Sequence, residues 1–102
     1  MRDWKVKEDG GWYYIKVLWV ASPDYQGPVL IRGHQIGGPN EMRFESGDDP
    51  PNELTFGAGG GGSTPSHFRN WPSYTRLRAP GCYAYQVDGT DFSDVIVFKA
   101  AS

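Results

Sequence analysis

Glycine and proline recur so often along this chain that its regular elements must be short. There are 14 glycines and 8 prolines among 102 residues. An amphipathic helix needs about ten residues without either, with apolar side chains three and four positions apart. Residues 12–22 contain neither, but their apolar side chains alternate with a period of two, as in a strand. The spacing therefore predicts an all-β, turn-rich chain.

The last quarter of the chain predicts a β-hairpin. Its strands cover residues 81–87 and 95–99, and its turn covers residues 88–94. A Pro-Gly pair precedes the first strand and an Asp-Gly pair starts the turn. Tyr83 and Tyr85 share one face of the first strand, since side chains alternate along a strand. The second strand begins VIVF, apolar on both faces, which predicts a strand covered on both sides or a packed edge.

Short alternating runs predict further strands, about seven in total, in a single domain over residues 1–102. These runs are residues 12–20, 29–36, 41–45, 53–57 and 74–77, with a ragged edge strand near the N-terminus. Met42 and Phe44 are expected to point inward. Gly33, inside its strand, predicts a bulge or a close backbone approach. Residues 57–66 are glycine-rich and are expected to form a mobile surface loop.

The strongest strand of the front half is predicted over WYYIKVLWV. Lys16 interrupts one of its two faces, so the face that carries Ile15 and Trp19 is expected to meet the core. Trp12 and Tyr14 lie on the other face. They are therefore expected to be exposed to solvent or covered by a partner chain.

The phrase APGCYAYQVDGT, followed by DVIVFKA, resembles the last two strands of an immunoglobulin-like (fibronectin-like) β-sandwich. It also resembles the ends of small bacterial secreted proteins and lipoproteins of unknown function. The resemblance implies about seven antiparallel strands in two sheets, and it gives Tyr83 the place of the corner tyrosine, whose hydroxyl bonds nearby backbone. It further implies an extracellular or cell-envelope location. Cys82 departs from the immunoglobulin pattern, since it faces away from Tyr83 and no second cysteine is present.

Charge and cysteine content restrict the classes of partner. A net charge of -2 gives no basic footprint for nucleic acid. A single cysteine excludes an internal disulfide and a cysteine-rich zinc site. Cys82 is predicted to be a small buried hydrophobe, with pairing to another part of the natural protein or to a second chain as the alternative. No apolar run reaches the roughly 18 residues of a transmembrane segment, and no leader follows Met1, so a secreted protein would be present here in its mature form.

No motif of this sequence predicts a catalytic residue, a metal site or a cofactor. His34 and His67 lack the spacing of a metal site, and no nucleophile elbow accompanies them. The carboxylates of residues 88–94 and 48–53 fit solvated turns better than a calcium loop. The glycine run at residues 59–62 lacks the lysine and the following helix of a phosphate loop.

Aromatic residues give the best functional lead. Trp71 and Tyr74 follow the glycine-rich loop, and His67, Arg69 and Arg76 are near them in sequence. Exposed rings with polar neighbours stack on sugar faces or seat an apolar group of a partner. These five residues are the candidate ligand-binding site, with packing in the core as the alternative for Trp71.

The sequence therefore predicts a non-catalytic extracellular or cell-envelope module that binds a protein partner or associates with itself. Unpaired strand edges in an open sandwich favour such association. The first alternative is a carbohydrate-binding module, with a glycan held by Trp71 and Tyr74. The second is a small hydrolase or metal-dependent enzyme built on His34 or His67.

Overall fold

The computed structural model of the protein describes residues 2–45, 50–63 and 67–101. These residues form ten strands and no helix. The strands are β1 (Arg2–Lys5), β2 (Lys7–Asp9), β3 (Trp12–Ala21), β4 (Val29–Gln35), β5 (Met42–Phe44), β6 (Leu54–Phe56), β7 (Gly62–Ser63), β8 (Arg69–Leu77), β9 (Gly81–Asp88) and β10 (Ser93–Ala101). The predicted all-β class is confirmed.

The strands form two five-stranded sheets. The first has the order β1-β10-β9-β4-β6, and the second has the order β2-β3-β8-β5, with β7 also paired to β8. This arrangement is compatible with a β-sandwich, but two details differ from the prediction. The described residues form ten strands instead of about seven, and the first sheet is mixed because β1 runs parallel to β10. The closing hairpin is present as β9 and β10, in continuous antiparallel register from Ser93↔Asp88 to Ala100↔Gly81.

Large side chains from both sheets fill the space between them. Buried residues of this core include Val29, Ile31, Met42, Phe44, Leu54, Leu77, Tyr83, Tyr85, Phe98 and Ala100. Met42 and Phe44 point inward as expected, with no exposed area. Tyr83 donates its hydroxyl to the Ala79 carbonyl over 2.7 Å, the backbone bond expected of a corner tyrosine. Aromatic contacts centre on Tyr85, whose ring lies 5.0 Å from that of Phe98.

The N-terminal segment passes from one sheet to the other. Lys5 is in register with Ala101 of the first sheet, and Lys7 is in register with Tyr14 of the second. Between them, Val6 N donates to Ala101 O over 2.9 Å. The segment that contains β1 and β2 thus pairs with part of β10 in the first sheet and part of β3 in the second. The rest of these two edges has no strand neighbour among the described residues.

Two predictions about exposure were wrong. Trp12 is only 8% exposed, because the Arg78 guanidinium lies 3.5 Å from its ring centroid. Its own chain covers it, so no partner chain is needed. The run VIVF was expected to be covered on both sides or to form a packed edge. Phe98 is buried, yet Val95, Ile96 and Val97 are 66%, 41% and 42% exposed. The hydrophobic pattern alone does not show whether a neighbouring strand is present.

Other packing predictions are confirmed. Ile15 and Trp19, on the predicted inner face of β3, pack against the core, while Leu18 on the outer face is 57% exposed. Gly33 marks a close backbone approach. A side chain at that position would collide with Met42 and would lie 2.8 Å from the carbonyl oxygen of Ala84.

Candidate functional site

An open cleft of about 370 Å³ lies between the two sheets, where the end of β3 faces the start of β10. Its walls are mostly apolar. The lining aromatic residues are Trp19, Tyr25, Phe56, Trp71 and Phe92, the aliphatic ones are Val20, Ala21, Val29, Ile31, Val87 and Ile96, and the polar ones are Ser22 and Asp94. Clefts of this size and composition are typical of sites that bind an apolar group.

Trp71 forms part of one wall because alternation along β8 turns its side chain toward the first sheet. Its ring stacks on Phe56, with centroids 4.5 Å apart and planes inclined by 5°. The guanidinium of Arg69 lies 4.7 Å from the same ring. Gly61 also packs against it, since a Cβ at that position would lie 2.6 Å from Cε2 of the indole. Trp71 is therefore held in one orientation, half-buried, with only part of its surface facing the cleft.

Arg69 is buried and holds the loops that border the cleft. Its Nε donates to Gly60 O over 2.9 Å. Its terminal nitrogens donate to the carbonyls of Tyr25 at 2.8 Å, Gly27 at 3.1 Å and Gly57 at 3.1 Å. A guanidinium has five N–H donors, so these four bonds use nearly all of them. Arg69 therefore acts as a structural cation that fixes two loops, and it has little left to offer a ligand.

Tyr25 links the connection between β3 and β4 to the turn between β9 and β10 at the mouth of the cleft. Its hydroxyl donates to Pro28 O over 2.6 Å and accepts the backbone N–H of Thr90 over 3.0 Å. Its ring meets Phe92 edge-on, with centroids 5.0 Å apart. Residues 88–94 were predicted to form a turn, but no role was predicted for Tyr25 or Phe92. The signal that could have found them is that each of these two glycine-bearing connections contains a single aromatic residue.

Trp19 lines the cleft, and Tyr85 of the buried core packs against it. Their rings meet at 88°, with centroids 4.9 Å apart, and Trp19 Nε1 donates to Ser73 Oγ over 3.1 Å. The Tyr85 hydroxyl lies 2.7 Å from Thr75 Oγ1 in the core. Burial raises the pKa of Tyr85 far above its usual range, so its hydroxyl stays protonated and neutral. The core side chains that support Trp19 are therefore uncharged.

The five residues predicted as a ligand site do not form one surface. Arg69 and Trp71 border the cleft, but Tyr74 lies on the outer face of the second sheet, 41% exposed and 5.9 Å from the ring of Tyr14. Arg76 lies on the same outer face and donates to Glu45 O. His67 is exposed and precedes β8, with a positive φ of 67°. The period of two along β8 separates the tryptophan from the tyrosine, since they are three positions apart.

The remaining candidates lie away from the cleft. His34 is exposed on the outer face of the first sheet, in register with Ala84. Cys82 is half-buried and is a free thiol. The structure describes part of the glycine-rich loop. Two contacts hold this part: Arg69 donates to the carbonyls of Gly57 and Gly60, and Gly59 N donates to Gln26 O over 2.7 Å. Residues 48 and 49 of the predicted acidic cluster lie outside the described residues.

Carboxylates mark the rim of the cleft. Asp94 lines it and is exposed, and Asp91 is exposed in the preceding turn. Neither takes part in an ion pair with a described residue. Asp88, in contrast, has partners among the described residues. Hydrogen bonds from Ser93 and Gln86, and then the nearby charge of Arg32, lower its pKa. Within the described part of the chain, no group of three histidine, cysteine or acidic residues could hold a metal ion.

Comparisons with protein-family models, with curated protein sequences and with solved structures find no match to this chain. The described residues also include no helix that is long and apolar enough to cross a membrane. The geometry of the cleft is therefore the main guide to function.

Proposed function

We propose that the protein is a non-catalytic binding module of the extracellular or cell-envelope type, and that its binding surface is the aromatic cleft between the sheets. One observation carries the proposal. Trp19, Phe56 and Trp71 line an apolar space of about 370 Å³ that is open to solvent. Apolar surface left in contact with water costs free energy, so a preformed space of this kind favours an apolar ligand.

The construction of the cleft supports a binding role over a packing defect. Arg69 and Tyr25 hold its bordering loops with five hydrogen bonds from their own side chains. Because these loops are already ordered in the folded protein, ligand binding does not bear the entropic cost of ordering them. A ligand therefore meets a site that is largely preorganised.

An immunoglobulin-like identity for the sandwich is part of this proposal. It is supported by the two stacked sheets and by the bond from Tyr83 to the Ala79 carbonyl. The extracellular or cell-envelope location depends on the sequence resemblance, and fractionation of the native host tests it.

A glycan is the weaker candidate ligand. Sugar binding needs an exposed ring face and several hydrogen-bonding groups around it. Trp71 packs against Phe56 and Arg69, and Tyr74 is on the opposite side of its sheet. Ser22 and Asp94 are the polar residues at the rim. The enzyme alternative is weaker still, because neither His34 nor His67 lines the cleft.

The proposal is tested with the neutral apolar dye Nile red and two matched variants. Ile96→Asp places a charge inside the cleft, and Leu18→Asp places the same charge on an exposed outer position. We expect dye fluorescence to saturate with the wild type, the Kd to rise at least about tenfold in Ile96→Asp, and little change in Leu18→Asp. Equal loss in both variants, or no saturable binding at all, contradicts the proposal.

A further inference from the structure

We infer that the natural occupant of the cleft is an extended, mostly apolar segment of another protein that carries a basic residue and adds as a strand to the free edge of β10. The inference rests on the proposed function, since it names the partner for the same site. Its evidence is the pairing of β10, the direction of its backbone groups and the charges beside it.

The first half of β10 has a strand neighbour on one side only. β9 pairs with it from Ser93 to Ala100. On its other side, β1 begins its register at Arg2↔Phe98. Ser93–Val97 is therefore an unpaired edge among the described residues, and it borders the cleft through Asp94 and Ile96.

The free backbone groups on this edge can be assigned by alternation. Ala101 O accepts from Val6 N, so the backbone of Ala101 faces the β1 side. Because register is continuous along β10, every second residue faces the same way, which includes Val97 and Val95. The bond from Gly89 N to Phe92 O across the turn gives the same assignment independently. The N–H and C=O groups of Val95 and Val97 therefore point toward the open edge.

The side chains on this edge suit a strand neighbour. Val95 and Val97 face outward, 66% and 42% exposed, while Ile96 turns toward the cleft at 41% exposed. Exposed edges in soluble proteins usually carry lysine, proline or a bulge that prevents pairing. The facing edge of β3 follows this rule at Lys16, which is exposed. Val95–Val97 has none of these features. The inward-pointing charge of Asp94 is the one feature of this edge that restricts pairing, and a strand with a complementary charge satisfies it.

Charge selects the kind of strand. Asp94 and Asp91 flank the edge without a cation among the described residues. On the cleft side, the added strand would place a basic side chain opposite Asp94 and an apolar side chain opposite Ile96. These two side chains are two positions apart, so they share one face of the added strand. A second copy paired antiparallel about Val95 would instead place the two Asp94 carboxylates about 7 Å apart on one face. The charges therefore favour a different chain over self-pairing.

The test uses the whole chain and the blocked peptide Thr-Val-Lys-Val-Leu-Val-Thr, whose lysine and leucine share one face. Amide exchange and chemical shifts are followed by NMR during titration. Strand addition predicts saturable binding and amide exchange slowed by about tenfold or more at Val95 and Val97. The Ile96 amide already faces β9, so its exchange is expected to change little.

Two control peptides separate the backbone ladder from the charge. A peptide with proline in place of the valines cannot donate to the edge, and we expect no detectable binding. A peptide with glutamate in place of lysine keeps the ladder but meets Asp94 with like charge, and we expect a Kd about tenfold higher. Equal binding of the proline peptide overturns strand addition.

Two variants of the protein test whether peptide binding needs the backbone N–H of Val95. Val95→Pro removes an N–H that points to the open edge, and the fold is expected to tolerate it because proline occurs on edge strands. Val95→Thr retains that N–H. With both folds verified by circular dichroism, we expect Val95→Pro to lose peptide binding, Val95→Thr to keep it, and both to bind Nile red like the wild type. If Nile red binds but the peptide does not protect Val95 and Val97, the inference fails and the proposed function stands.

Two other results are decisive against the inference. If light scattering shows a dimer and the Val95 and Val97 amides are protected without peptide, the occupant is a second copy. If neither peptide nor Nile red binds, the inference fails together with the proposed function.

Discussion

The two halves of β10 have similar side chains and opposite environments. On the inward face, Phe98 and Ala100 are 0% and 1% exposed, whereas Ile96 is 41% exposed. β9 pairs with both halves, but β1 pairs only with the second. Trp4 of β1 then stacks on Phe98, with ring centroids 4.5 Å apart.

The comparison shows that a neighbouring strand, rather than strand propensity, decides burial here. The covered half forms the aromatic core with Tyr85, and the uncovered half borders the cleft. The covered half is therefore expected to determine stability, and the uncovered half is expected to determine binding. The following variants test that division, from the largest expected effect to the smallest.

Phe98→Ala in the covered half is expected to lower the free energy of unfolding by about 3 to 5 kcal/mol, since it leaves a cavity among packed rings. Ile96→Ala in the uncovered half is the matched control on the same face, with an expected change of about 1 kcal/mol or less. Urea denaturation of both variants measures the difference. Similar losses in both variants would contradict the division.

Arg69→Met removes the cation that holds the loops around the cleft. Four carbonyl oxygens lose a charged donor, so we expect the free energy of unfolding to fall by about 3 kcal/mol. Arg78→Met is the control, because Arg78 is exposed over Trp12 and its loss is expected to cost about 0.5 to 1 kcal/mol. Thermal unfolding followed by circular dichroism ranks the two variants. An Arg69→Met protein as stable as the control shows that the loops do not depend on this side chain.

Tyr85→Phe leaves the buried Thr75 hydroxyl without its partner and is expected to cost about 1 to 3 kcal/mol. The double variant Tyr85→Phe with Thr75→Val removes both hydroxyls and is expected to recover most of that loss. Denaturant midpoints of the three proteins make the check. A double variant less stable than the single one would show that the hydroxyl pair is not the cause.

Alkaline conditions are expected to destabilise the covered half. Burial raises the pKa of both Tyr83 and Tyr85, while an unfolded tyrosine ionises near about pH 10. The unfolded state then binds fewer protons, so stability is intact below about pH 10 and falls as the pH rises above it. The double variant at Tyr85 and Thr75 is expected to show a smaller fall between pH 8 and pH 11. An identical fall assigns the effect to other groups.

Acid is expected to have the smallest effect, at the turn of the uncovered half. Ser93 and Gln86 hydrogen bonds lower the pKa of Asp88, so its contribution to stability is present above the usual aspartate pKa and is lost as the pH falls below it. Asp88→Asn is expected to flatten the acid side of the stability profile slightly. Urea midpoints from pH 6 to pH 3 measure this, and an unchanged profile would show that the turn does not depend on the carboxylate.

Much of the fold followed from local pattern, and the site did not. The inward positions Met42 and Phe44, the closing hairpin and the Tyr83 hydroxyl bond all depend on alternation and turn residues close in sequence. Trp71 borders the cleft, but Tyr74, which was predicted to share its site, lies on the opposite face of β8 because the two residues are three positions apart. Tyr25 was missed because its contacts reach Thr90, 65 positions away.

The sequence by itself determined that the chain is all-β, where its closing hairpin turns and which residues alternate inward, because these depend on side-chain period and on glycine and proline at turns. Only the tertiary structure decided that β1 covers half of β10, that Arg69 binds carbonyls, and that a cleft opens beside Ile96. These features arise from contacts between residues far apart in the chain. The same apolar residue is buried or exposed according to which strand lies beside it.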